Sequence, residues 1–175
     1  KMAVQYWKNK GQGKKCKFLA FRGAYHGDTM GPMSLGDLED SMHRSFTHYV
    51  PKQYVTALPL DEYGFSEFAA LVEGIKGSVA ALVMEPLVQG AGGMRFHGPD
   101  IVAEIRRICK EADILFIADE IFTGFGRTGN MFACEEAGIT PDILCLGKGL
   151  TGGTMTLAAT MATGEIFDGF LSDNL

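Results

Sequence analysis

Two residues with complementary chemistry each lie at the end of an apolar run. Asp119 closes the run ILFIAD, and Lys148 comes directly after ILCLG. The carboxyl ends of parallel strands share one sheet edge, where α/β folds hold ligands, so both side chains are expected there. Gly147 and Gly149 leave room beside the lysine for an aldehyde and then a substrate.

An amine that can form a Schiff base and a carboxylate that keeps a pyridine nitrogen protonated are the groups that pyridoxal phosphate needs. Lys148 and Asp119 fit these roles. In a dry site a lysine loses part of its preference for the charged form, which makes the neutral amine more available. On these two residues alone, an ordinary surface lysine and an acid that caps a loop are the favoured interpretation.

The glycine-rich stretch GFGRTG at 124–129 matches the dinucleotide pattern G-x-G-x-x-G, but its context does not. That fold needs the glycines after the first strand and an acid that closes the next strand. Here Asp119 and Glu120 precede the glycines, and Asp142 opens a strand. A phosphate-binding P-loop also fails, because a glycine follows Lys148. A dinucleotide-binding module is therefore the weakest alternative.

The segments ADEIFTGFGRTG and LGKGL resemble the class III, fold-type I pyridoxal-phosphate aminotransferases. In that family an acid in D-E-[IV]-x-T-G-F-G-R-T-G is followed by the Schiff-base lysine in a G-K-[GA] turn. The other segments that carry the resemblance are YHGDTMGPMSLGD (25–37), SMHRSF (41–46), EPLVQGAGGM (85–94) and LGKGLTGGTMTLAATMAT (146–163). The resemblance covers essentially all 175 residues.

Within the family the resemblance is strongest to the branch that serves biotin biosynthesis. It implies a transaminase that moves the amino group of S-adenosylmethionine to 8-amino-7-oxononanoate, giving 7,8-diaminononanoate in a ping-pong cycle. It also implies pyridoxal phosphate as the cofactor and a homodimer at full length. Two alternatives stay open: a class III aminotransferase of another amine or ω-amino acid, against which the segment TGGTMTLAAT speaks, and a non-catalytic fragment.

The resemblance also implies roles for single residues. Lys148 is the Schiff-base lysine and proton shuttle, and Asp119 pairs with the pyridinium nitrogen. Tyr25 lies over one face of the cofactor ring, a use suited to a flat aromatic with a polar tip. Ile121 covers the other face, with a plain core residue as an equal alternative. Glu85 lies near the cofactor or organises its loop.

Asp28, His26 and Arg127 lie near these motifs and also receive roles, and Tyr25 receives a second one. Tyr25 and Asp28 are expected to contact the substrate, with a turn-stabilising aspartate as the alternative for Asp28. His26 is interpreted as structural. Arg127 is expected to hold its loop by an ion pair or hydrogen bonds.

Composition narrows the function classes. The chain carries 16 basic and 21 acidic residues, for a net charge of −5, with no block of one sign, so nucleic acid is not expected as a partner. No apolar run is long enough to span a bilayer, and the chain is interpreted as cytoplasmic.

His43 and His48 suggest no metal site. Four scattered cysteines without a C-x-x-C pair are predicted to be buried free thiols: Cys16, Cys109, Cys134 and Cys145.

Apolar strands alternate with helical patterns, which predicts an α/β fold with a mainly parallel sheet flanked by helices. Several strands are apolar throughout, as expected when both faces are covered. Ser66 is predicted to cap one helix, and Pro99 to lie early in another. The predicted strands are 16–21, 79–85, 114–119, 143–146 and 156–162.

The two ends of the chain suggest a piece of a larger protein. Met2, Val4 and Trp7 have helical spacing with no capping residue before them, and 165–170 opens another helix. We therefore expect residues 1–175 to form part of a large cofactor-binding domain, without the N-terminal segment and the C-terminal small domain. Such a piece alone is expected to bind cofactor weakly and turn over little.

Overall fold

The computed structural model describes residues 1–38 and 42–171. Its centre is a six-stranded sheet with strand order β2-β1-β3-β6-β7-β8. Neighbouring strands are parallel, except that β8 runs antiparallel to β7. The predicted α/β fold with a mainly parallel sheet is confirmed. The strands of this sheet are β1 (Lys17–Phe21), β2 (Tyr54–Thr56), β3 (Val79–Met84), β6 (Leu115–Asp119), β7 (Ile143–Leu146) and β8 (Ala159–Ala162).

The helices and a small hairpin complete the described chain. Strands β4 (Val88–Gln89) and β5 (Arg95–Phe96) pair antiparallel beside the main sheet. None of the helices within the described ranges has the length and apolarity needed to cross a membrane. The helices are α1 (Met2–Asn9), α2 (Met30–Met33), α3 (Glu62–Ile75), α4 (Pro99–Glu111), α5 (Ala133–Glu136) and α6 (Gly164–Asp168).

Helices cover both faces of the sheet, which explains the uninterrupted apolar strands. On one face Phe68 of α3 and Ile105 of α4 pack in the same cluster as Phe116 of β6. On the other face Trp7 of α1 lies in a cluster with Ala80 of β3 and donates its indole N–H to that residue's carbonyl at 2.8 Å. The sheet is therefore a buried, rigid base for the loops at its carboxyl edge.

The predicted cap of α3 is wrong. The helix begins before Ser66, at Glu62, and Asp61 caps it: its Oδ1 accepts the N–H of Gly64 at 2.7 Å. An aspartate three residues before a free backbone N–H satisfies one of the unpaired donors of the first turn. The prediction for α4 is confirmed, since Pro99 is its first residue.

The strand ends also differ from the prediction. Residues 156–158 lie outside β8, and Cys16, Glu85 and Ile114 flank their strands. Strand β2 was missed because it has only three residues. The prediction of buried thiols is confirmed for Cys109 and Cys134, is wrong for the exposed Cys16, and holds only partly for Cys145, which is half-buried. None of the four, all within the described residues, forms a disulfide. Ser41, the first residue of SMHRSF, lies outside the described ranges.

Candidate active site

A cavity of about 100 Å³ lies where β1, β3, β6 and β7 end. All five residues predicted to bind cofactor line it, whereas Asp28, predicted to contact substrate, does not. The distant segments of the sequence that carry these residues therefore converge on one site. The lining residues are Tyr25, His26, Gly27, Glu85, Ala91, Asp119, Ile121, Phe122 and Lys148.

Asp119, the last residue of β6, is buried and held from two directions. Its Oδ1 accepts the backbone N–H of Ile121 at 3.1 Å, and its Oδ2 lies 2.7 Å from Nδ1 of His26. The imidazole is itself buried, and within the described residues its Nε2 has no hydrogen-bond partner. His26 was interpreted from the sequence as structural, and no local signal in AYHGD indicates its contact with a residue on another strand.

Glu85 is a buried carboxylate that joins two loops at the edge of the cavity. Its Oε1 accepts the N–H of Gly90 at 3.0 Å, and its Oε2 accepts the N–H of Tyr25 at 3.3 Å. Burial raises the pKa of Glu85, because removal from water disfavours the charged form. The structure thus shows Glu85 organising its loop and lining the cavity, and its place near the cofactor stays a prediction.

Lys148 follows β7 in a strained backbone position, with φ at 35°, which is unfavourable for a residue with a side chain. Within the described chain its ammonium has no hydrogen bond or ion pair; Nζ lies 5.1 Å from the centroid of the Phe122 ring. A Cβ at Gly149 would lie 3.0 Å from the Phe125 side chain, so this neighbour of Lys148 must be small. In the described part of the chain, Lys148 thus lines the cavity with an amine that no hydrogen bond or ion pair occupies.

Phe122 is a wall residue that the sequence reasoning missed. Its ring packs so closely on Gly90 that a Cβ there would lie 2.9 Å from the ring. The guanidinium carbon of Arg127 lies 4.8 Å from the ring centroid, a cation–π contact. The expected ion pair or hydrogen bond of Arg127 is not present among the described residues, so that prediction is wrong in its chemistry.

Glu120 fixes the loop that follows Asp119. Its side chain is fully buried and accepts backbone N–H groups from Ala133 at 2.7 Å and Cys134 at 2.9 Å, and the hydroxyl of Thr123 at 3.2 Å. Three donors replace the water that a buried carboxylate would otherwise need. Glu120 therefore connects the start of this loop to α5. Ile121 and Phe122 follow Glu120 directly, so these hydrogen bonds also limit their movement.

A second set of polar side chains forms hydrogen bonds around the hydroxyl of Tyr25. Its hydroxyl donates to Oδ2 of Asp28 at 2.8 Å, and Nε2 of His43 lies 2.9 Å from Oδ1 of the same carboxylate. The hydrogen bond to Asp28 raises the pKa of Tyr25, and the bond from His43 lowers the pKa of Asp28. The turn-stabilising interpretation of Asp28 is consistent with these bonds, and the sequence reasoning missed His43.

The donor set fits pyridoxal phosphate. A buried carboxylate, Asp119, can hold a protonated ring nitrogen, and Lys148 offers an amine in the same cavity. His26 lines this cavity too, and its buried Nε2 has no hydrogen-bond partner among the described residues. Tyr25 and Ile121 supply an aromatic and an aliphatic wall. Among the described residues no group of three or more histidine, cysteine or acidic side chains is placed to hold a metal ion.

Comparison with known proteins identifies the family. The family model described as Aminotransferase class-III matches residues 1–174. The adenosylmethionine-8-amino-7-oxononanoate aminotransferase of Mycobacterium leprae (strain TN) is 47% identical over 169 residues, covering 95% of this chain and 39% of that protein. The enzyme of the same name from Synechococcus elongatus is 45% identical over 183 residues, covering 99% of this chain and 43% of that protein.

Solved structures agree with the sequence relatives. The crystal structure of adenosylmethionine-8-amino-7-oxononanoate aminotransferase from Methanocaldococcus jannaschii DSM 2661 superposes with a TM-score of 0.91 at 40% identity, covering 98% of this chain and 40% of that chain. A PLP-bound amine transaminase from an uncultivated Pseudomonas species gives a TM-score of 0.82 at 35% identity over 96% of this chain and 41% of that chain.

The chain spans about two fifths of the length of these relatives. Its sheet is that of the fold-type I, pyridoxal-phosphate-dependent transaminases. The matching family model extends over nearly the whole chain, and both the sequence relatives and the solved structures carry aminotransferase names. The chain belongs to the class III aminotransferases, a family that uses pyridoxal phosphate.

Proposed function

We propose that the chain is part of a transaminase that transfers the amino group of S-adenosylmethionine to 8-amino-7-oxononanoate, giving 7,8-diaminononanoate for biotin synthesis. The observation that carries the proposal is the convergence of Lys148 and Asp119 on one cavity. The substrates are proposed from the names of relatives at 47% and 45% identity.

Lys148 is proposed as the catalytic residue. When bound, pyridoxal phosphate supplies an aldehyde that can carry an amino group and a ring that accepts electrons. The Nζ of Lys148 would hold the cofactor in the resting enzyme, then remove a proton from the amine-bearing carbon of the donor and return it during the second half of the cycle. Its amine has no competing ion pair within the described residues, which supports both roles.

Asp119 is proposed to hold the protonated ring nitrogen of the cofactor. Its carboxylate is oriented before any ligand arrives, because the N–H of Ile121 and the imidazole of His26 occupy one lone-pair direction on each oxygen. Asp119 is buried, and a charge pair shielded from water interacts more strongly than one at the surface. This arrangement favours the charged form of the ring nitrogen.

The other lining residues are proposed to shape the cofactor site. Tyr25 covers one face of the ring and Ile121 the other, while Glu85 holds the Tyr25 backbone through its N–H. Tyr25 and Asp28 are also proposed to contact the substrate; the Asp28 carboxylate is exposed and charged at neutral pH, which suits a substrate amino group.

The test is an absorbance spectrum of the purified protein with added pyridoxal phosphate, before and after borohydride, beside Lys148→Ala. We expect a band near the visible edge that reduction fixes on Lys148, identified by mass spectrometry of the labelled peptide. Adding S-adenosylmethionine should then bleach the band of the unreduced protein. A label on another lysine, or an unchanged band in Lys148→Ala, would refute the assignment of Lys148.

A second candidate is an aminotransferase of another amine or ω-amino acid. It is favoured by the similarity to the amine transaminase from Pseudomonas and to an (S)-enantioselective omega-transaminase from Thermomicrobium roseum, which is 32% identical with a TM-score of 0.83. A panel of donors decides between the two. Bleaching by a simple amine or ω-amino acid, with no response to S-adenosylmethionine, would favour the second candidate.

We also propose the setting of the enzyme. Four free thiols agree with a reducing compartment, which supports a cytoplasmic location. A homodimer is proposed from the family resemblance. The chain is proposed to form part of the large cofactor-binding domain, because its matches cover about 40% of the relatives; the 175-residue piece alone should bind cofactor weakly and turn over little.

A further inference from the structure

Tyr25 stands between two cavities. It lines the cavity that contains Lys148, and it also lines a second cavity of about 500 Å³ whose wall includes His43. His43 does not line the Lys148 cavity. Tyr25 is thus a wall residue of both cavities, whereas His43 lines only the second of the two.

His43 holds Tyr25 in two ways. The two rings stack, with centroids 5.9 Å apart and planes inclined by 20°. In addition, Nε2 of His43 lies 2.9 Å from Oδ1 of Asp28, whose Oδ2 accepts the Tyr25 hydroxyl at 2.8 Å. The ring stacking restricts the plane of the Tyr25 phenol ring, and the hydrogen bonds through Asp28 restrict the position of its hydroxyl.

The histidine is the anchored member of this group. Its side chain is only 8% exposed, whereas the Asp28 side chain is 68% exposed. An exposed aspartate held only by Tyr25 would be free to rotate into solvent, because a surface hydrogen bond must compete with water. The buried imidazole therefore limits the rotation of Asp28 and, through it, of the Tyr25 hydroxyl.

We propose that His43 is a positioning residue, which fixes the Tyr25 ring in the orientation needed to cover the cofactor and fixes the Asp28 carboxylate beside it. This inference rests on the proposed function, because it takes Tyr25 to cover the cofactor ring. Aromatic contacts of this kind contribute enough to change affinity several-fold.

A double-mutant cycle tests the proposal through affinity for pyridoxal phosphate, measured by spectral titration. His43→Ala should weaken binding about 5-fold in the wild-type background and less than about 2-fold in a Tyr25→Ala background, since coupled residues are not additive. His43→Phe keeps a ring for stacking without the hydrogen bond, and should lose less affinity than His43→Ala. The matched control is His48→Ala, an exposed histidine of the same segment, which should leave binding unchanged.

Equal losses in the two backgrounds would overturn the proposal, because a general effect on folding does not depend on Tyr25. Unchanged binding in His43→Ala with wild-type Tyr25 would overturn it as well. If His43→Ala does not fold, the cycle is run with His43→Phe, for which we expect a loss of about 2-fold that disappears in the Tyr25→Ala background.

A second measurement needs no cofactor and separates this inference from the proposed function. Nitration by tetranitromethane, followed by peptide mapping, compares the rate at Tyr25 with that at the exposed Tyr49 and Tyr63. In His43→Ala the rate at Tyr25 should rise about 3-fold relative to these two, because the stacked ring no longer shields it. If pyridoxal phosphate does not bind at Lys148 in the full-length enzyme, the proposed function is refuted, whereas an unchanged nitration ratio refutes the role of His43.

Discussion

The imidazole of His26 lies 2.7 Å from the carboxylate of Asp119, and the two residues are separated by 93 positions in the chain. Both side chains are nearly inaccessible to water, at 3% and 8% exposed. The loop after β1 thereby positions an acid at the end of β6. His26 is therefore expected to help orient the carboxylate that we propose holds the cofactor nitrogen.

Replacing His26 tests this relationship. His26→Ala removes the partner of a buried carboxylate, and a hydrogen bond to a charged group contributes about 1.5–3 kcal/mol. We expect affinity for pyridoxal phosphate to fall about 10-fold or more, measured by spectral titration. His26→Asn, which can still donate a hydrogen bond, should recover part of the loss. Wild-type affinity in His26→Ala would show that Asp119 is oriented without the imidazole.

Glu120 should be a determinant of stability. Glu120→Gln places an amide N–H₂ against donors that now bind a carboxylate, and an unsatisfied buried group costs about 1–3 kcal/mol. The midpoint of thermal unfolding should fall by about 2–12 °C, because a loss of 1 kcal/mol lowers it by about 2–4 °C in a chain of this size. Glu135→Gln, on the exposed surface of the adjacent helix α5, is the control and should change the midpoint by less than about 2 °C.

The raised pKa of Glu85 predicts how stability changes with pH. In the unfolded chain this carboxyl titrates near 4.5, and in the folded protein burial moves its pKa upward. Its contribution to stability is therefore fully present below pH 4.5 and is lost as the pH rises through the folded value. Relative to Glu85→Gln, the wild type should gain stability as the pH falls from 7 toward 4.5.

Denaturant unfolding of both proteins across that range measures the effect. Taking the difference between wild type and Glu85→Gln removes the contribution of other titrating groups, provided that they respond equally in the two proteins. A difference that is constant with pH, or that grows in the opposite direction, would contradict the assigned shift.

Two glycines should respond oppositely to alanine. A Cβ at Gly92 would lie 1.8 Å from the carbonyl oxygen of Gly23, a clash with backbone that no rotamer can relieve. Gly92→Ala should therefore destabilise the protein by about 2 kcal/mol or more. Gly74 lies inside α3 with open space around it, and Gly74→Ala should stabilise by about 0.5–1 kcal/mol. Chemical unfolding of both variants, beside the wild type, gives the two values.

Long apolar runs in the strands and the helical spacing of apolar residues made most of the fold predictable. The β7 run was predicted with both ends correct, and Pro99 correctly indicated the start of α4. Short or unperiodic elements were missed, as with β2. The cap of α3 was placed at Ser66 rather than Asp61, because serine and aspartate are equally good caps and only the observed turn distinguishes them.

The sequence by itself determined the residues that we propose carry the chemistry: an acid and a lysine, each at the end of a strand, within motifs typical of one family. Only the tertiary structure decided which other side chains act on them. His26 reaches Asp119 across 93 positions, and His43 reaches Asp28 and Tyr25 from a separate loop. The reason is physical: strand ends follow from local hydrophobic patterns, whereas contacts between loops depend on how the whole sheet brings its edges together.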